Sequence, residues 1–288
     1  MSTDVPVPPP PGQPAPPPAN PRWRRWLLGA LAGWAALLLV LTLVSVRRDD
    51  PTVREQRSIE QAGPVVDRAL GELVAAAGPD VAVELAPRVP DECELTVLRE
   101  GATLDATVLI RAPEAELPGL LDRIAQRLPA AYRAGVRHSA DGSVHVLRAD
   151  AGEFVAIEGG QAGPGILELT VSTGCRPVSG GPDRRAAAPL PPAEPDPLRV
   201  LGALGATEPT PVELVTVGCP GRGRAWTAYA IGRGSSAGPP GALLPRPAGA
   251  VVIADTTELY AYRSGPVSVV VESGDGRVRV ATTTSCEG

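Results

Sequence analysis

The chain contains no lysine: all 27 of its basic residues are arginine, and asparagine occurs once, at Asn20. Ala, Gly, Pro and Val fill the space instead, a bias that reads as GC-rich coding in a high-GC bacterium such as an actinobacterium. Basic residues are outnumbered by 32 acidic ones, giving a net charge of −5 and a pI near 5.2. That balance argues against a nucleic-acid partner, which would call for a basic stripe. Aromatics make up only 3% of the chain, which leaves few platforms for stacking bases or sugars. A phosphate loop and a dinucleotide fingerprint are both missing, and the four cysteines show no C-x-x-C spacing. No cofactor and no metal is expected.

What is present starts with one uncharged run. Residues 26–46, from Trp26 to Val46, carry no charge, and about 20 apolar residues suffice to cross a bilayer as a helix. The run is longer than a signal-peptide core, ends in Leu43-Val44-Ser45-Val46 without an A-x-A-like cleavage site, and has no cysteine just after it for a lipid anchor. An uncleaved transmembrane helix follows. Arg22, Arg24 and Arg25 precede it and Arg47 and Arg48 follow it, a margin too thin for the positive-inside rule to decide alone. Cysteine usage breaks the tie, because Cys93, Cys175, Cys219 and Cys286 all lie downstream and suit an oxidising compartment. The N-terminus is then cytoplasmic and the C-terminal region extracellular. Residues 1–25 are so rich in proline, with P-x-x-P in Pro8–Pro11, that a disordered polyproline-type tail is expected. Within the span, Gly29 and Gly33 make G-x-x-x-G, a small-residue pattern that lets two membrane helices pack as a homodimer.

Past the membrane the chain repeats itself weakly. Each half has a V-E-L soon followed by a cysteine, then alternating strands, then a closing cysteine. This divides the region into module 1 at 47–175, a Pro-rich linker at 176–197 and module 2 at 198–288. The economical pairing is Cys93 with Cys175 and Cys219 with Cys286, each closing a long loop and constraining the unfolded chain by about 4 kcal/mol. Apolar periodicity predicts helices over 64–77 and 114–134, and alternation predicts strands at 80–86, 94–99, 104–111, 144–149, 153–158 and 166–173, with a hairpin turn at Glu100-Gly101. Module 2 is predicted at 212–218, 225–231, 250–254, 258–263, 267–272 and 277–284 as more nearly all-β, because prolines occupy the place of the long helix. The fold class is therefore a single N-terminal transmembrane helix plus an extracytoplasmic α+β region of two tandem, disulfide-stapled, mainly antiparallel modules, the first with two packed helices.

Catalytic patterns fail on inspection. Gly234-Ser235-Ser236-Ala237-Gly238 fits G-x-S-x-G, but prolines follow where a helix is needed and both histidines precede it. His138 and His145 are seven residues apart, matching neither the helical nor the same-strand spacing that aims two imidazoles at one metal. Trp226, Tyr229, Tyr260 and Tyr262 gather in module 2 and form a candidate ligand face for a glycan or peptide, with core packing the alternative. Pro-rich tail, single span and cysteine-stapled β-rich region together resemble the general plan of actinobacterial membrane-anchored envelope proteins, which implies a place and no activity. The expected function is a non-enzymatic, membrane-anchored binding or scaffold protein, with an envelope protein or glycan as partner. A cell-wall hydrolase with dispersed carboxylates and a single-pass sensor are the alternatives.

Overall fold

The computed structural model describes residues 21–48, 57–88, 90–96, 99–142, 144–178, 195–234 and 238–286. The Pro-rich tail before 21, most of the 176–197 linker and the centre of the G-x-S-x-G match lie outside them. The chain forms two units, Met1–Thr52 and Val53–Gly288. In the first, the described residues form one helix, α1 (Pro21–Arg48). Its stretch Arg25–Val44 has mean hydropathy 2.4, and Leu31 and Trp34 are among several large apolar side chains on it that are exposed. Apolar side chains standing open all along one helix are what a lipid-facing segment presents.

The second unit is α+β, with two antiparallel sheets. Its first half runs α2 (Ile59–Ala77), β1 (Ala82–Leu85), β2 (Pro90–Thr96), β3 (Arg99–Arg111), α3 (Leu117–Arg127), β4 (Gly135–His138), β5 (His145–Gly152), β6 (Val155–Gly163) and β7 (Ile166–Ser172). The second runs α4 (Pro197–Ala203), β8 (Glu213–Gly218), β9 (Arg224–Arg233), α5 (Pro240–Leu243), β10 (Val251–Asp255), β11 (Leu259–Ser264), β12 (Val267–Gly274) and β13 (Arg277–Thr284). Sheet order is β1-β3-β7-β6-β5-β4 in the first, with β2 added on β3, and β8-β9-β13-β12-β11-β10 in the second. Apart from β2 these are one topology used twice, so the weak repeat in the sequence is a repeat of the fold. Helix, edge strand, second strand, crossover and four-strand meander recur in the same order.

Several local expectations shift, each for a definable reason. Helix α2 begins at Ile59 instead of 64, because Ser58 and Gln61 form a capping box: Ser58 Oγ accepts from the Gln61 N–H at 3.4 Å and Gln61 Oε1 accepts from the Ser58 N–H at 3.0 Å. The helix predicted over 114–134 is α3 flanked by two short 3-10 turns. Pro129 forces the preceding Leu128 into extended backbone, φ −63 and ψ 150, and stops the helix there; strand β4 follows. Glu100 and Gly101 are not a turn. They lie inside β3 opposite Glu94 and Cys93, and a Cβ at Gly101 would stand 2.5 Å from the Arg176 carbonyl oxygen, so this glycine serves a close backbone approach.

The sequence divides the region into two modules; the chain packs them as one unit. The main core lies between α2, α3 and the inner face of the first sheet, through Leu70, Leu73, Ile124, Val108, Leu147, Val155 and Leu169, and it continues into the second half through Val217, Ala225 and Cys286. A second cluster packs α4 against Tyr260, Tyr262, Val269, Val271, Val278 and Val280. Between the sheets, edge strand β1 presents its outward backbone to the face of the second sheet. The Val83 N–H donates to Ser268 Oγ at 3.2 Å and the Leu85 N–H to Thr227 Oγ1 at 2.9 Å, while the Tyr229 hydroxyl donates to the Leu85 carbonyl. Buried hydroxyls thus satisfy an edge that would otherwise need a partner strand.

Candidate functional site

The proposed ligand face is a core face. Tyr260 and Tyr262 do share one side of β11, with ring centroids 5.6 Å apart, but both pack against α4. Tyr229 points to the opposite side of the sheet, among Ala82, Ala261, Val270 and Ala281, and Trp226 is buried as well. Strand parity explains the split: positions 226 and 229 on one strand cannot point the same way. These rings pack the core and do not form an exposed platform.

The Tyr229 side of the second sheet holds a charge network that joins the repeats. Glu84 of β1, with a side chain 1% exposed, receives Arg279 of β13; Arg279 Nη1 donates to Glu272 Oε2 at 2.9 Å, and Glu272 also receives Arg111 of β3. The Arg279 guanidinium lies 4.8 Å from the Tyr229 ring centroid. Burial works against the Arg279 charge, yet Glu84 and Glu272 outweigh it and hold its pKa above the usual arginine value. Burial pushes the Tyr229 phenol well up, and Glu84 adds to it. No proton-transfer role follows from groups locked this way; the network binds β1, β3, β12 and β13 together.

Both disulfides form as the spacing predicts. Cys93–Cys175 spans 82 residues with Cα atoms 5.9 Å apart, and Cys219–Cys286 spans 67 with 5.5 Å. The first anchors β2, the strand absent from the second repeat, to Cys175 in the segment just after β7. Next to it Arg176, fully buried, donates through Nε to the Thr173 carbonyl at 3.1 Å and through Nη2 to the Glu153 carbonyl at 2.6 Å. So the expected linker starts later than 176.

Beside this staple a cleft of about 1050 Å³ opens between the first turns of α2 and the β2–β3 pair. Ile59, Pro64, Leu104 and Val178 give it apolar surface; Glu92, Glu94, Glu100 and Arg88 supply charge. Arg88 is engaged by Asp67, so the cleft presents mainly carboxylates. An apolar lining with a few charges of one sign suits recognition of a partner of opposite charge. The cleft is not legible from alternation, which sets this strand at 94–99 instead of Pro90–Thr96 and does not register its exposure on both faces, the mark of an added edge strand. The carboxyl whose pKa is raised, Glu72 on α2, owes this to burial, opposed by Arg68, and it does not line the cleft.

Gly29 and Gly33 lie on α1 with nothing within 4 Å of a Cβ built at either. The two histidines are brought together after all: β4 and β5 form a hairpin in which His138 pairs directly with His145. A separation of seven is the spacing of two opposed residues across a six-residue turn segment, a geometry outside the two single-element spacings considered above. Among the described residues no group of three or more metal-ligating side chains stands together.

No protein-family model and no curated protein matches the chain. Among solved structures it is similar to the crystal structure of a DUF4853 family protein from Actinomyces odontolyticus ATCC 17982, with 15% identity, a TM-score of 0.33, and 62% of this chain and 96% of that chain covered.

Proposed function

We propose that the protein is a single-pass, membrane-anchored envelope protein of a high-GC bacterium, with its tail cytoplasmic and its α+β unit extracytoplasmic, and that it binds a partner there without turning over a substrate. One observation carries the reading: an exposed apolar helix of membrane length precedes a body in which all four cysteines are bonded, a state characteristic of oxidising compartments. The acidic cleft gives the binding surface its polarity, favouring a basic segment of an envelope protein. Gly29 and Gly33 supply a packing seam through which two copies associate within the bilayer.

The test is protease accessibility. Protease added to intact spheroplasts digests the region after Arg48 and leaves an epitope at the N-terminus protected; digestion of the tail instead overturns the orientation. Glu92→Lys with Glu94→Lys then probes the cleft, since reversed charge there removes partners recovered by in-cell crosslinking, and an unchanged partner profile rejects the cleft as the surface.

A further inference from the structure

We propose that His138 and His145 form a two-ligand binding site for a late first-row divalent metal ion of the Zn2+ class, with their Nδ1 atoms as the ligands and Asp122 behind His138, outside the coordination sphere. The two rings face each other edge-on across the end of the β4–β5 hairpin, 73° between planes, with Nδ1 atoms 2.6 Å apart. Asp122 Oδ1 on α3 stands 3.4 Å from His138 Nε2. The carboxylate charge favours the tautomer in which His138 Nε2 carries the proton and Nδ1 offers its lone pair, and a slight approach from 3.4 Å to hydrogen-bond length gives the carboxylate–histidine arrangement found behind metal ligands. The present Nδ1 separation is that of a shared proton. Two nitrogens on one tetrahedral zinc lie about 3.3 Å apart given Zn–N bonds near 2 Å, so a small opening of the rings admits the ion. The shared proton then passes to His145 Nε2 by way of solvent, both imidazoles remain neutral, and water completes the coordination.

The surroundings favour a site over a packing contact. The side chains of His138 and Asp122 are 46% and 42% exposed, so the pair contributes little to the core and an ion reaches it directly. The hairpin end is ordered by its turn: the Ser139 N–H donates to the Val144 carbonyl at 2.9 Å, and Ser139 Oγ accepts from the Val144 N–H at 2.9 Å. Both histidines stand on the helix-covered face, the side of Val136 and Leu147, where α3 overhangs the last strand. The repeat supplies an internal comparison. The corresponding hairpin pair in the second sheet is Asp255 with Tyr260, so the fold itself does not require histidines here. Imidazole selects Zn2+, Cu2+ or Ni2+ over Mg2+ and Ca2+, which prefer oxygen.

The full chain in mild detergent, stripped with chelator, is titrated with Zn2+ against a chromophoric indicator in excess Mg2+. One Zn2+ per chain is expected. His138→Ala and His145→Ala each abolish that stoichiometric binding, whereas Asp122→Asn retains it and weakens it about 10- to 100-fold. Cu2+, which binds such ligands more tightly, reports independently by electron paramagnetic resonance, where hyperfine structure from two nitrogens is expected. Absence of stoichiometric Zn2+ binding, equal binding by the histidine variants, or a Cu2+ spectrum without two-nitrogen coupling each overturns the assignment. The Cu2+ spectrum of the unmodified chain decides the matter even if a variant fails to fold.

Discussion

Gly71 is where helix α2 of the first repeat meets the second, and replacing it with alanine tests whether the two repeats share a core. A Cβ built at Gly71 stands 1.9 Å from the Gly218 carbonyl oxygen and 3.0 Å from its carbon, where real Cβ atoms do not come nearer than about 3.0 Å. The obstructing atoms are backbone at the end of β8, and Cys219–Cys286 pins that end; the Cys286 Sγ lies 3.8 Å from the Gly71 carbonyl. In an unobstructed helix, Gly to Ala stabilises by up to about 1 kcal/mol. Here overpacking against rigid backbone costs about 3 kcal/mol, the upper part of its usual range, so the net change is a loss of about 2 kcal/mol. For a unit of this size that lowers Tm by about 4 to 8 °C. Gly202 in α4 has nothing within 4 Å of its Cβ position, so Gly202→Ala raises stability by about 0.5 to 1 kcal/mol. Thermal unfolding of the full chain in detergent, disulfides intact, reads both. A Gly71→Ala variant as stable as Gly202→Ala would refute the close approach of α2 to β8 and with it the joint core.

Arg279→Met strands the Glu84 carboxylate in the interior and costs about 3 to 5 kcal/mol, while the double replacement Glu84→Leu with Arg279→Met recovers most of it; denaturant unfolding of the four members of the cycle checks the coupling. Cys175→Ser frees β2 and costs about 2 to 5 kcal/mol, and non-reducing peptide mapping of the unaltered chain recovers 93–175 and 219–286 linkages with none between 175 and 219. Because burial raises the Glu72 pKa, the native state holds that proton more tightly than the unfolded chain. The stability this contributes is present below the ordinary carboxyl pKa and lost as pH rises through the folded value. Glu72→Gln therefore stabilises at neutral pH and not in strong acid, as thermal unfolding at the two pH values shows.

Much of the fold was legible in the chain because it depends on local chemistry. Uninterrupted apolarity marks α1 without reference to anything else, and strand-forming runs bounded by turn residues mark β8 to β13 closely. The repeated position of the cysteines was enough to pair them. What periodicity could not convey is which surface meets which. The alternation at 226, 260 and 262 is the same whether the aromatic face looks at solvent or at α4, and only the packing of that helix decides that it is core. Likewise β1 reads as an ordinary short strand, although the hydroxyls of Thr227 and Ser268, far along the chain, are what satisfy its outer edge. His138 and His145 make the same point: sequence distance along one element says nothing about distance across a hairpin, and register alone brought them face to face. The sequence by itself determined the apolar helix, the strands of the second repeat and the disulfide partners, since these follow from near neighbours and composition. The tertiary structure decided the joining of the repeats, the acidic cleft and the histidine pair, because each depends on contacts between segments that the chain keeps far apart.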